Sequence, residues 1–209
     1  MSLSNGSVSR LYQTKLTVAN LGMTSQLGAA RRMTIHIPAW IDNRLTPVEK
    51  LEVHQKGLRH KAVSVFVLSG DKLLIQRRSL SKYHTPGLWA NTCCTHPNWD
   101  ETTFDCANRR LDEELGIKGL ECHFRDRIEY RAEVGGGLIE HEVVDVFLAD
   151  ADRDLTVVPN PDEVMDIRWV TLPRLKIEVA AKPEAFTPWL RIYLDQHSEG
   201  IFGDRLTTG

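Results

Sequence analysis

The chain has 209 residues, 42% hydrophobic and 26% charged, with a formal net charge of -2. That balance is ordinary for a folded protein and argues against a disordered, fibrous or polybasic nucleic-acid-binding chain, while the length favours one compact domain plus an extension. Apolar runs such as Ala62 to Leu68 are far too short to span a bilayer, and four cysteines, two adjacent at Cys93 and Cys94, suit a reducing, cytoplasmic compartment better than a disulfide framework.

Residues 1–41 contain no acidic side chain, and Arg10, Lys15, Arg31 and Arg32 lie there among Ser, Thr, Asn and Gly. This segment reads either as an organelle-targeting leader or as residues upstream of a natural start at Met33, the preferred reading. It is set apart as an N-terminal extension, with a single domain expected over 42–209. Lys61 to Leu68 reads as a strand with Val63, Val65 and Val67 on one face, followed by a Ser-Gly-Asp turn and a second strand from Leu73 to Gln76. A polar connection from Ser79 to Gly87 leads to a short strand-like stretch, Leu88 to Thr92. The period then changes. From Thr102 to Leu115 the residues Phe104, Ala107, Leu111 and Leu115 recur at helical spacing, with Asp100 or Thr102 to cap the start and Gly116 to end it. Phe124 to Ala132 and Leu138 to Leu148, joined through Gly135-Gly136-Gly137, and Asp166 to Thr171 follow as strands. A closing amphipathic helix is expected over Trp189 to His197. This order predicts an α+β (α/β) fold, a mixed sheet sandwiched between helices.

The stretch ETTFDCANRRLDEELGI, Glu101 to Ile117, sets Arg110 and Glu114 four apart on the polar side of its helix. On an arbitrary helix such charges are a solvated face with ordinary ion pairs. Here the stretch resembles the Nudix box, in which a loop-helix-loop presents carboxylates to Mg²⁺ on a diphosphate, with two departures. Thr95 stands where a glycine is usual, and Arg109-Arg110 replaces the Arg-Glu pair that serves hydrolysis. Loss of that carboxylate weakens a hydrolytic reading. The adjoining GLWANTCCTHP, with RRSLSKYHTPGLW, LIEHEVVDVF and FTPWL, is similar to the type 1 isopentenyl-diphosphate isomerases, a Nudix-fold branch that moves a double bond. The similarity runs from about Pro47 to about His197.

That resemblance implies a chemistry with definite demands. Protonating an unactivated alkene and deprotonating a neighbouring carbon takes an acid, a second proton carrier and a dry pocket that tolerates a tertiary cation. The resemblance assigns proton transfer to Cys94 and Glu142, assisted by Tyr130, whose hairpin could bring its hydroxyl towards Glu142. Outside such a motif Cys94 would be read as a small packing residue and Tyr130 as a core aromatic. Glu140 and Glu142 are two apart in a strand and so share a face, where two buried carboxylates call for a cation. The resemblance makes them ligands, with His54, His60 and His96, of a Zn²⁺, Mn²⁺ or Mg²⁺ ion. His54 is the least secure, because its interval to His60 is short; His84, His123, His141 and His197 are set aside as surface or structural groups. Lys50, Arg78, Lys82 and Arg110 are expected to face the diphosphate, and Glu114 to hold a Mg²⁺ that arrives with it. Trp189 is expected to face the cationic carbon. The implied partner is a small organic diphosphate, and nothing in the sequence sets an oligomeric state. A hydrolase of another diphosphate and a non-catalytic diphosphate-binding protein are the competing readings.

Overall fold

The structure, a computed structural model, describes residues 34–203. Most of the proposed extension, with its leader and Met33-start readings, lies outside the described residues. The division after residue 41 is revised, because His36–Ile41 (β1) is already a strand of the domain. It pairs antiparallel with Arg44–Glu49 (β2) and meets the central strand where Ala39 pairs with His60. Asp42 and Asn43, with φ of 47° and 61°, make the tight turn, while Pro38 and Pro47 obscure the strand pattern on either side.

A short helix follows, Lys50–Lys56 (α1), closed by Gly57 in the left-handed conformation (φ 59°). A Cβ on Gly57 would lie 3.1 Å from the Ile139 side chain, so this turn excludes larger residues twice over. The chain then enters Arg59–Ser69 (β3), the centre of a mixed sheet that has nine strands among the described residues. The other strands are Lys72–Arg78 (β4), Trp89–Ala90 (β5), Cys93–Thr95 (β6), His123–Gly135 (β7), Leu138–Asp150 (β8) and Val164–Thr171 (β9). β3 pairs antiparallel with β4 and β6 and parallel with β8; β7 pairs with β8, and β9 with β4.

Strand alternation divides the core. Val63, Val65 and Val67 pack on one face with Cys93, Cys106, Leu111 and Leu115. Ala62, Phe66 and Leu68 pack on the other with Val144, Val146, Trp189 and Tyr193. The first face is covered by Thr103–Leu115 (α2), whose capping residue Thr102 accepts from the Asp105 amide and which ends at Gly116. Phe104, expected on its buried stripe, is 48% exposed; Cys106 takes that place. The second face is covered by Pro188–Gln196 (α4) and Ser198–Phe202 (α5), while Leu172–Ala181 (α3) follows β9. The expected mixed sheet between helices is observed. Among the described residues no helix is long and apolar enough to cross a membrane.

The expected strand over Leu88 to Thr92 is interrupted. Asn91 Nδ2 donates to the Val65 and Cys93 carbonyls, and Thr92 Oγ1 accepts from the Val67 amide and donates to the Leu74 carbonyl. These side chains replace ladder hydrogen bonds and let the chain step from β5 into β6. Cys93 and Cys94 therefore face opposite sides of the sheet, Cys93 into the α2 core and Cys94 against the α4 side.

Candidate active site and metal centre

Three imidazoles meet a carboxylate near the start of β3. α1 offers His54, one turn after Lys50; the Gly57 turn delivers His60; β6 runs on to His96; and β8 brings Glu140 and Glu142 on the face of β8 nearest them. His54, His60, His96 and Glu140 are all buried and present ligand atoms within 4.8 Å of one another. His54 Nε2 and His60 Nε2 lie 3.2 and 3.4 Å from Glu140 Oε2, and His60 Nε2 lies 3.2 Å from His96 Nε2. Donors that share one ion at ~2.1 Å sit roughly 3–3.5 Å apart, so these spacings are those of a metal shell.

The hydrogen bonding makes the same case. His54 Nδ1 lies 2.5 Å from the Lys50 carbonyl and His60 Nδ1 2.7 Å from the Leu58 carbonyl. Each Nδ1–H therefore donates to backbone and leaves the Nε2 lone pair aimed inward. Lone pairs converging on a carboxylate repel unless a cation or protons stand between them. Glu140 Oε2, buried, has no hydrogen-bond partner. Burial opposes a charge on His60, yet the adjacent Glu140 and Glu142 carboxylates outweigh it and lift its pKa to about 9. Burial likewise works against ionised Glu140, but the three imidazoles hold its carboxyl well below the usual range. The donor set thus fits a divalent ion, and the buried cluster can hold one.

Glu142 links this centre to a cavity. One oxygen lies 2.9 Å from His96 Nε2; the other accepts from the Tyr130 hydroxyl at 2.6 Å. Tyr130 and Glu142 are direct partners across the β7–β8 ladder, which accounts for the contact. Cys94, Glu140, Glu142, His96 and Trp189 line a cavity of about 40 Å³ together with Lys50, Arg78, Lys82 and Arg110. That is room for roughly three waters, the size of a short branched hydrocarbon rather than a polymer segment. Lys50, Lys82 and Arg110 also line an adjoining, more open groove of about 330 Å³. A larger cavity of about 580 Å³ lies elsewhere, lined by α3 and α4 residues such as Lys176 and Arg191; none of the clustered acids and imidazoles reaches it.

The protonation states inside are set mainly by burial. Burial, then the Glu142 charge, pushes the Cys94 thiol well above its ordinary value, so the sulfur rests as S–H. Burial and Glu142 do the same to the Tyr130 phenol, which keeps its proton for Glu142. Trp189 is 2% exposed and its indole N–H has no partner, while the Arg78 guanidinium stands 5.3 Å from the ring. Arg78 donates to the His84 carbonyl but its Nε is unsatisfied. A buried guanidinium with an unpaired N–H, lining one cavity with two lysines, is chemically suited to an anion.

The predicted residues therefore come together, with two qualifications. Glu114 is buried, accepting from Gln76 Nε2 at 2.8 Å and from Arg110; it adjoins the cavity through Arg110 and is not part of the imidazole cluster. Arg110 also pairs with Glu113 and with Glu163, which in turn pairs with Lys82. His84, set aside in the sequence, belongs to the site: its Nε2 is 3.3 Å from Glu140 Oε1. Burial pushes its pKa down to about 2, so it is a neutral ring beside Trp189. Tyr83, whose hydroxyl is 3.5 Å from His54 Nε2, is a second residue of the site that no sequence motif singles out. Both sit in the Ser79–Gly87 connection that carries Lys82, and that neighbourhood was the available signal.

A NUDIX domain pattern matches residues 58–190. The chain is 66% identical over 172 residues to the isopentenyl-diphosphate Delta-isomerase of Dinoroseobacter shibae, covering 82% of this chain and 98% of that protein. It is 66% identical over 167 residues to the protein of the same name from Cereibacter sphaeroides, covering 80% and 94%. Among solved structures, a Deinococcus radiodurans protein superposes with a TM-score of 0.62 at 17% identity, over 76% of this chain and 96% of that one. The MutT NUDIX hydrolase of Burkholderia pseudomallei gives 0.53 at 23% identity, over 66% and 98%. These two likenesses concern the fold alone.

Proposed function

The chain belongs to the isopentenyl-diphosphate Delta-isomerase family of NUDIX-domain proteins, and on that premise we propose that it interconverts isopentenyl and dimethylallyl diphosphate. The observation that carries this reading is the lining of a single small cavity by a neutral thiol, a carboxylate and an indole. In it, a proton is added to the terminal methylene of the alkene, a tertiary cation forms beside the Trp189 face, and a proton leaves the carbon two bonds away. Cys94 and Glu142 carry the two protons, with Tyr130 donating to Glu142 as that carboxylate changes charge. The indole contributes about 0.5–2 kcal/mol of cation–π attraction in a dry site.

Lys50, Lys82 and Arg110, which line both the cavity and the adjoining groove, bind the diphosphate together with Arg78 on the cavity side, so that the five-carbon end enters the cavity. A Mg²⁺ ion held by Glu114 would offset phosphate charge, the remaining ligands coming from the substrate. At the imidazole cluster a Zn²⁺, Mn²⁺ or Mg²⁺ ion would hold Glu140 and Glu142 side by side without mutual repulsion. The four cysteines are unpaired, which supports a reducing, cytoplasmic setting. Hydrolysis is the weaker reading, because Arg110, occupied with Glu113 and Glu114, stands where the box would supply a carboxylate. Incubating purified protein with isopentenyl diphosphate and Mg²⁺ tests the proposal: dimethylallyl diphosphate is expected without phosphate release. Phosphate release without the isomer would establish hydrolysis instead, and no turnover a binding role.

Metal content gives a prediction independent of turnover. Protein loaded with a divalent ion and passed through a chelating resin should retain it, whereas His60→Ala should lower the metal retained at least ~10-fold by elemental analysis. A pH effect is expected from Lys82, whose pKa burial pushes down to about 8. Its charge is present below that value and lost above it, so KM for the diphosphate should rise between about pH 7 and pH 9.5. Lys82→Arg, which stays charged, should flatten that rise.

A further inference from the structure

The apolar run of β3 is broken by one polar residue, Ser64, which is fully buried. Ser64 lies directly opposite Cys94 across the antiparallel β3–β6 ladder, so the two side chains emerge on one face as nearest neighbours. The Ser64 hydroxyl donates to Cys94 Sγ at 3.3 Å, and the Tyr193 hydroxyl lies 3.0 Å from Ser64 Oγ. A hydroxyl has a single proton to give; with that of Ser64 committed to sulfur, the Tyr193 phenol is the donor to Ser64. Tyr193 is itself fully buried, and burial first, then the neighbouring Cys94, keeps its phenol protonated. It sits four residues after Trp189 on α4, so one helical face sets the indole against the cavity and the phenol behind the thiol.

We propose that Ser64 and Tyr193 are positioning residues for Cys94: Tyr193 donates to Ser64, Ser64 donates to the sulfur, and the thiol's own hydrogen is thereby left to point into the cavity. The role rests on the isomerase reading, in which Cys94 moves a proton. In whichever direction that proton travels, the sulfur is a thiolate at one end of the step, and the Ser64 hydroxyl is the donor that stabilises it. A chain of buried hydroxyls that merely satisfied one another would stabilise the fold without acting on turnover, and this difference can be measured.

Steady-state kinetics of metal-loaded Ser64→Ala, Tyr193→Phe and the double variant supply the test. A hydrogen bond to a charged group and one between neutral groups differ in strength, so kcat should fall about 10–100-fold in Ser64→Ala and about 3–10-fold in Tyr193→Phe. KM should stay within about twofold in both, and the double variant should match Ser64→Ala, because Tyr193 acts through Ser64. Unchanged kcat, multiplying losses, or losses confined to KM would overturn the proposal. Should Ser64→Ala not fold, Tyr193→Phe alone decides, since it keeps its ring in the core. Alkylation of Cys94 by iodoacetamide at one fixed pH, read by mass spectrometry without substrate, should slow in both variants, and wild-type rates would contradict the relay. Slowed alkylation in a protein whose wild type makes no dimethylallyl diphosphate would sink the isomerase reading and leave the relay standing.

Discussion

Cys94→Ala is expected to lower turnover of isopentenyl diphosphate by at least about 10²–10³ while leaving KM nearly unchanged. The sulfur lines the cavity and is held by Ser64; under the proposed roles, in which the basic groups bind the diphosphate, its loss removes a proton carrier and little ground-state binding. The substitution deletes one atom from a partly buried position, and alanine is compatible with the three-residue strand around it, so the fold should persist. Steady-state kinetics with a matched thermal unfolding curve check this. Activity within about threefold of wild type would remove Cys94 from the proton path.

Glu142→Gln is expected to cost about 10²–10⁴ in kcat. Glutamine keeps the shape and can still accept from Tyr130, but it cannot take up a proton, and the negative charge facing His96 and His60 is gone. Two effects must be separated. Removing a carboxylate beside the imidazole cluster would also weaken the binding of the proposed ion, by ~10–100-fold for a group that supports its ligands. Kinetics at saturating divalent metal isolate the proton-transfer loss: if added metal restores wild-type turnover, Glu142 serves the ion alone. Tyr130→Phe offers a graded comparison, since it removes only the 2.6 Å hydrogen bond to Glu142.

Much of this arrangement is legible in the sequence because it depends on short periods. The two-residue spacing of Glu140 and Glu142 places both on one strand face, and the same parity separates Cys93 from Cys94. The α2 helix, its Thr102 cap and its Gly116 stop are equally local signals. What escapes is short or long-range. α1 has seven residues, less than two clear turns of periodicity, although it carries Lys50 and His54. The β1–β2 hairpin is hidden by Pro38 and Pro47. Phe104 fits the helical stripe but lies at its exposed margin, where Cys106 does the packing. His84 looks like any lone histidine until β8 brings Glu140 against it, and Ser64 looks like a flaw in a strand until β6 sets Cys94 opposite. Such contacts are created by sheet register, which no local pattern records.

The central claim is that a proton enters the alkene at one end and another departs at the other through a carbocation sheltered in the Cys94–Glu142 cavity. Conversion of isopentenyl diphosphate in heavy water with Mg²⁺, followed by NMR of the product at low conversion, tests it most directly. The account predicts dimethylallyl diphosphate carrying solvent deuterium in a methyl group, with the diphosphate intact. Product free of deuterium would mean an internal hydrogen shift and would contradict the account.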